Sequence, residues 1–307
     1  MRTGKRGAGR CRSREIRMPT AGEVLTPTAC AHIAAILHND PRARLDEPGG
    51  VHQMRVATRR LRSLLQTFAP MFRAEEVAPL RTELRWLAGE LGVARDAEVM
   101  QAEIATAIRD EDAPADAGAG IEAKMDDAHR AAHARLCGAL DSDRYHRLVL
   151  DLDRFVDDPP LSAKAGKRAR RVLPRRADKA FARVRSAVAH ARAADTPQER
   201  DLALHDARKA AKRARYAGEA LADSFGEPAA LFASRMEDVQ EQLGEYQDSV
   251  VMRARLRELA AAETSPTTAF LYGRLDAREE RRGELALERF DGAWEAATEK
   301  SVTAWTH

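Results

Sequence analysis

Two segments of the chain carry one pattern at almost one spacing. Val51-His52-Gln53-Met54-Arg55 aligns with Leu204-His205-Asp206-Ala207-Arg208, and Arg59-Arg60-Leu61-Arg62 with Lys212-Arg213-Ala214-Arg215, an offset of 153. Downstream, Leu91-Gly92-Val93-Ala94-Arg95-Asp96 answers Leu243-Gly244-Glu245-Tyr246-Gln247-Asp248 at an offset of 152. Two separate matches at nearly one offset mean an internal duplication. Whatever the first copy folds into, the second must fold into as well.

Apolar spacing of three and four residues predicts helix almost everywhere. Helices are expected over 22–39, 51–69, 74–92, 95–111, 121–140, 144–156, 168–194, 198–224, 228–243, 246–263 and 267–299. Breakers fall at 40–50, 113–120, 157–166 and 263–266, where Pro, Gly, Asp and Ser cluster. No alternating strand pattern stands out, so the fold class is all-α. The duplication then predicts two antiparallel helical bundles related by a pseudo-two-fold axis. Residues 22–156 form the first half, 157–167 the linker and 168–307 the second half. Residues 1–21 read as a basic arm of disordered composition, with Met18 as an alternative start.

An α-helix turns 100° per residue. His52, Arg55, Arg59 and Arg62 therefore fall in a stripe about 80° wide, with Met54, Ala57, Leu61, Leu64, Leu65 and Phe68 on roughly the opposite side. His205, Arg208, Lys212 and Arg215 repeat the stripe; Arg60 and Arg213 lie further round. Most charged helical faces are simply solvated. Here residues 51–63 contain no acid, so no i,i+4 compensation is available. Each stripe also begins with a histidine, a donor that charges near neutral pH. Stacked like charges need a counter-charge from elsewhere, and a bound polyanion supplies one. Arginine matches phosphate oxygens with a forked donor set, whereas lysine acts as a point charge.

A further basic run, 164–185, holds ten Lys/Arg against one acid. Arg168, Arg171 and Arg175 recur there at i, i+3, i+7 and are candidate contacts for the same polyanion; Arg176, Lys179 and Arg183 repeat the spacing, with Pro174 bending or interrupting the helix between them. Arg274, Arg278, Arg281, Arg282 and Arg289 are accompanied by Glu279, Glu280 and Glu284 and read as an ordinary solvated face. Net charge is only +3. Focused stripes on a near-neutral chain point to a defined anion groove rather than a uniformly sticky surface. Cys11, Cys30 and Cys137 are scattered, without a CxxC pair, which fits a reducing, cytoplasmic setting. No 18-residue apolar run exists to span a membrane, and the basic N-terminus lacks the apolar core of a signal peptide.

VHQMRVATRRLRS, the LxxLG-x-x-RD segment at 87–96 and LHDARKAAKRARY together resemble the CHAD domain, a helical domain named for its characteristic histidines. The resemblance covers the chain from about residue 22 onward. It implies two helical bundles around a central basic pore or groove that binds inorganic polyphosphate, with association to polyphosphate granules. It carries His52, Arg55, Arg59, Arg62, His205, Arg208, Lys212 and Arg215 over as ligand contacts, with Arg60 and Arg213 at the margin. Asp96 and Asp248 would pair with the cationic faces or cap a following helix, and Tyr216 would bond a phosphate or edge the core. Lys209 and Ala214 depart from the apolar residue and leucine usual in the family, and Gln247 stands where Asn or Arg often does. Those changes leave the stripe but weaken its expected apolar backing. No strand bearing the ExExK signature of a triphosphate tunnel domain is found.

Three other functions compete. A single-strand nucleic-acid binder usually adds stacking aromatics, and Trp86, Trp294 and Trp305 stand apart from the stripes; duplex backbone binding needs only charge. A polyphosphate-processing enzyme would need bound metal or a nucleophile, and no P-loop, DxD or carboxylate cluster lies near the stripes. His129 and His133, one turn beyond Asp126, could hold a metal but read as solvated surface on an Ala-rich helix. A scaffold that docks a partner is the third. The expected function is polyphosphate binding without chemistry, metal or cofactor, with no membrane partner.

Overall fold

The computed structural model describes residues 18–110 and 115–306. Its helices are α1 (Ala21–Arg44), α2 (Gly50–Thr67), α3 (Ala74–Asp110), α4 (Ala115–Leu140), α5 (Asp143–Asp157), α6 (Ala169–Val172), α7 (Pro174–Arg192), α8 (Pro197–Phe225), α9 (Glu227–Ala261), α10 (Pro266–Thr298) and α11 (Lys300–Thr303). Short 3-10 turns cover Ala69–Met71, Ala163–Gly166 and Ala304–Thr306. No strand occurs among the described residues; two isolated bridges, Thr20 to Arg168 and Phe72 to Leu161, fasten the segment between α5 and α6. The fold is all-α. Most of the basic arm, and part of the breaker at 113–120, lie outside the described residues.

Local chemistry explains most helix starts. Thr20 with Glu23 on α1, and Thr196 with Glu199 on α8, form reciprocal capping boxes, each satisfying amides that the first turn leaves without partners. Ser142 and Ser265 cap α5 and α10. The helix expected over 168–194 is in fact two, because Pro174 opens α7 at its first turn, where its missing N–H costs nothing. α1 continues past its expected end through Pro41 to Arg44. Arg44 then holds Asp40, Asp141 and the Leu140 carbonyl.

The breaks expected at 93–94 and 244–245 do not exist: α3 and α9 run unbroken for 37 and 35 residues. The apolar pattern lapses there for a tertiary reason. One large core runs from Leu25 and Ile33 of α1 through Leu61 of α2 and Leu91 of α3 to Phe181 of α7, Ala214 of α8 and Leu243 of α9. A second, smaller core clasps the far ends of four helices through Ile104 and Ile108 of α3, Ile121 and Met125 of α4, Met252 and Leu256 of α9, and Leu271, Tyr272 and Leu275 of α10. Along α3 the buried apolar residues stop at Ala94 and resume at Ile104; along α9 they stop at Leu243 and resume at Met252. Between the cores α3 carries Arg95, Glu98 and Glu103 at half-buried positions, and α9 carries Tyr246, Gln247 and Ser249, in place of buried apolar side chains.

α8 backs onto the large core almost wholly with alanine: Ala207, Ala210, Ala211, Ala214, Ala217 and Ala220 are all buried. The departure at Ala214 therefore thins the helix rather than exposing it. Gly218 continues this close packing. A methyl group there would stand 2.9 Å from a Phe232 ring carbon, 3.0 Å from the Ala233 methyl and 3.1 Å from the Ala229 carbonyl oxygen. Gly138 of α4 has no such neighbour within 4 Å. Gly218→Ala should therefore destabilise by about 1–2 kcal/mol, overpacking outweighing helix propensity. Gly138→Ala should stabilise by up to about 1 kcal/mol. Urea midpoints of the two variants read the opposite signs; equal signs would contradict the packing described for α8 and α9.

Candidate anion-binding groove

α2 and α8 pack side by side, flanked by α3 and α7. Between them lies a groove of about 330 Å³ lined by Arg55, Arg59, Arg62, Ser63 and Gln66 of α2, Ala88 of α3, and Lys209, Lys212, Arg213 and Tyr216 of α8. Arg55, Arg59 and Arg62 of the first stripe thus meet Lys212 of the second although they lie far apart in sequence, while His52, His205, Arg208 and Arg215 are not among the lining residues.

Each copy anchors its first arginine in the same way. Arg55 reaches Asp96 at 3.4 Å, and Arg208 reaches Asp248 at 3.4 Å. The glycine one turn before each aspartate makes room for the guanidinium. A methyl group at Gly92 would meet Arg55 at 3.9 Å, and one at Gly244 would meet Arg208 at 3.2 Å. That is the structural meaning of the repeated Leu-Gly-x-x-x-Asp segment. Asp96 and Asp248 sit inside α3 and α9, so neither caps a helix; they orient the arginines.

The histidines differ between copies. Burial, then Arg95 and Arg59, hold His52 below the ordinary imidazole range despite Glu98. It is therefore not the readily charging donor that its position in the stripe implied. His205 Nδ1 lies 3.1 Å from Gln247 Oε1, so the amide oxygen accepts from the ring. Arg95, at the matching position in the first copy, instead pairs with Glu98 at 2.9 Å.

Among the described residues, Arg59, Arg62 and Lys212 make no ion pair. Burial pushes Lys212 down to about 7, and the charges of Arg59, Arg208 and Arg55 add to it against the opposing pull of Asp248. Burial also lowers Arg62, as do Arg85, Arg81 and Arg59. Arg81 and Arg85 of α3 extend the basic surface and were missed in the sequence. They are i,i+4 neighbours, but Glu83 between them gave LRTELRWL the look of a balanced solvated helix. Ser63 Oγ, Arg208 Nε and Arg213 Nε are buried without a hydrogen-bond partner among the described residues. These are donors, the complement of a ligand rich in acceptor oxygens.

Other candidates are occupied or elsewhere. Arg215 pairs with Glu219 and Glu237, each at 2.7 Å. Burial lowers its pKa, but the bond to Glu219 and the two carboxylate charges outweigh that and raise it. Arg60 pairs with Glu219 at 3.1 Å. Both guanidinium groups stand over the buried Tyr216 ring, at 5.6 and 5.9 Å. Arg60, Arg215 and Tyr216 thus form a neutralised ledge beside the groove. Arg168, Arg171 and Arg175 gather with Lys167, Arg170 and Met18 around a different cleft of about 760 Å³ and line none of the groove. Arg176 ties α7 to the end of α2 by donating from Nε to the Thr67 carbonyl at 3.0 Å.

No cluster of His, Cys, Asp or Glu suited to a metal occurs among the described residues. His129 and His133 are not solvated surface: their Nε2 atoms lie 2.8 Å from Asp46 Oδ2 and 2.9 Å from the Ala43 carbonyl, pinning α4 to the end of α1. Asp126 takes a bond from Gln101 at 2.7 Å. On α10, Arg281 pairs with Glu284 at 2.9 Å, Arg282 with Glu279 at 3.1 Å and Arg289 with Glu245 at 2.5 Å. Trp294 is buried, and Trp86 carries Arg144 over its ring at 4.4 Å. No described helix is long and apolar enough to cross a membrane.

Fold and groove define an all-helical domain in which two duplicated His/Arg helices face a common basic hollow. The family model for the CHAD domain matches residues 28–257, and the chain belongs to that family. Two uncharacterized proteins of Mycobacterium tuberculosis, Rv2226 and MT2285, are 36% identical over 263 residues, which is 83% of this chain and 49% of each relative. The chain thus spans about half the length of the curated relatives it matches. Among solved structures, PptA from Streptomyces chartreusis superposes with a TM-score of 0.75 at 22% identity, covering 90% of this chain and 99% of that one. The CHAD domain from the plant Ricinus communis superposes with a TM-score of 0.60 at 23% identity, covering 94% and 92%. At these identities the likeness is one of fold.

Proposed function

We propose that this protein binds inorganic polyphosphate in the groove between α2 and α8 and performs no chemistry on it. The carrying observation is the convergence of Arg59, Arg62 and Lys212 without a carboxylate partner among the described residues. Keeping like charges together in a half-buried hollow costs free energy. A bound polyanion removes that cost and gains charge-assisted hydrogen bonds. A linear phosphate chain has no bases to stack, and the groove offers one tyrosine whose ring is already covered by Arg60 and Arg215. Membership of the CHAD family supports the same ligand. We place the two halves about a pseudo-two-fold axis, in keeping with the matching Arg55–Asp96 and Arg208–Asp248 pairs. Cytoplasmic location and recruitment to polyphosphate granules follow from this reading.

Displacement of labelled long-chain polyphosphate by single-stranded and duplex DNA, at two salt concentrations, tests the ligand class. Polyphosphate should bind with a steep salt dependence, log K falling by several units per decade of salt, and DNA should compete poorly even at low salt. Equal competition by duplex DNA would make the groove a general backbone-binding surface instead.

A further inference from the structure

Next to the groove, on the neighbouring face of α8, lies a second cleft of about 630 Å³ between α7 and α8. Its α7 wall carries Arg183, Ser186 and His190; its α8 wall carries Asp206, Lys209 and Arg213. Lys209 and Arg213 line both hollows. They are i,i+4 neighbours on α8, so they form the ridge that separates groove from cleft.

The cleft is built for an anion. Arg213 Nε is buried without a hydrogen-bond partner among the described residues. Arg183 makes no ion pair among the described residues, and its charge is felt at two neighbours. Burial lowers Arg213, and Arg183 lowers it further, although Asp206 pulls the other way. Burial lowers Arg176, and again Arg183 adds to the effect. The positive field here is therefore not cancelled locally. Asp206 is the one carboxylate among the described lining residues, and Lys209 holds it at 2.6 Å.

We infer that the α7–α8 cleft is a second phosphate subsite, in which a linear polyphosphate leaving the groove crosses the α8 ridge and is held by Arg213 and Arg183. This rests on the groove being the polyphosphate site. A ligand must cross the ridge of Lys209 and Arg213 to reach Arg183 from the groove. Tripolyphosphate stays within the groove, whereas a long chain engages groove and cleft together. The subsite makes affinity depend on chain length by adding contacts to one bound chain, the gain expected when two sites share one tethered ligand.

The test measures affinity of the full chain for tripolyphosphate and for long-chain polyphosphate. Arg183 is exposed, so Arg183→Glu should fold normally. It should weaken long-chain binding by about five- to tenfold, flatten the salt slope of log K by about one, and leave tripolyphosphate within about twofold. Asp206→Asn frees Lys209, which borders both hollows, and removes the opposing charge; it should strengthen binding of both ligands by about two- to threefold, so Arg183→Glu alone separates cleft from groove. Equal changes for both ligands in Arg183→Glu, or no change for either, would overturn the cleft as a subsite while leaving the groove standing. Wild-type protein that bound neither ligand would overturn the groove itself, and the cleft with it.

Discussion

Replacing Arg59 and Lys212 together by glutamine should lower polyphosphate affinity by at least about a hundredfold and leave the melting temperature unchanged or higher. The loss follows from two charge-assisted contacts, each worth about 1.5–3 kcal/mol, at about 1.4 kcal/mol per tenfold. The stability sign follows from the surroundings. Neither side chain has an ion-pair partner among the described residues, and each lies in the field of the other and of Arg55 or Arg208. Removing them relieves repulsion and desolvation, the usual relation between a strained site and its scaffold. Calorimetric melting and a binding titration on the same variant decide it. A variant that lost binding together with several degrees of melting temperature would show that these cations hold the fold instead. Charge reversal at Arg55 and Arg208 is a less clean probe, because each new carboxylate would face Asp96 or Asp248.

Polyphosphate binding at pH 8 should take up close to one proton, and affinity should fall as pH rises above about 7. The group responsible is Lys212, which burial holds at about 7, helped by Arg59, Arg208 and Arg55 and opposed by Asp248. In the free protein it is largely neutral at pH 8. A bound polyanion favours the ammonium, so binding and protonation are linked. Affinity should fall by up to about tenfold per pH unit until the pKa of the complex is reached. The unliganded protein shows the complementary effect. An unfolded lysine titrates near its ordinary value of 10.5. Between about 7 and 10.5 the unfolded chain therefore binds the extra proton, and stability rises with pH across that window. Lys212→Arg keeps the charge at all working pH values, and so should abolish both the proton uptake and the stability slope. Binding heats measured in two buffers of different ionisation enthalpy give the uptake directly. The same uptake in Lys212→Arg would assign it to another base on the protein, such as His52.

Much of the site was legible because its signals are local. The stripe His52, Arg55, Arg59, Arg62 follows from helical rotation and needs no tertiary knowledge. Arg55 and Arg208 were readable as a matched pair because Gly92 and Asp96, and Gly244 and Asp248, recur beside them at one offset. Helix length was misread at those same segments. Polar residues interrupt the apolar period at both places, and a helix passing a charged hollow looks, in sequence, like a helix that has ended.

By itself the sequence determined the helical class, the duplication and the cationic chemistry of one face of α2 and α8. Backbone periodicity and side-chain type are properties of neighbours along the chain. Only the tertiary structure decided which cations keep their charge uncompensated. Arg62 and Arg215 occupy matching positions, yet Arg62 lines the groove beside Arg81 and Arg85 while Arg215 is held by Glu219 and Glu237. Glu237 comes from another helix, α9, and the arginines of α3 likewise come from outside the stripe. Ion pairing acts over a few ångströms and is indifferent to sequence separation. The pattern of free and neutralised charge is therefore fixed only when the helices pack.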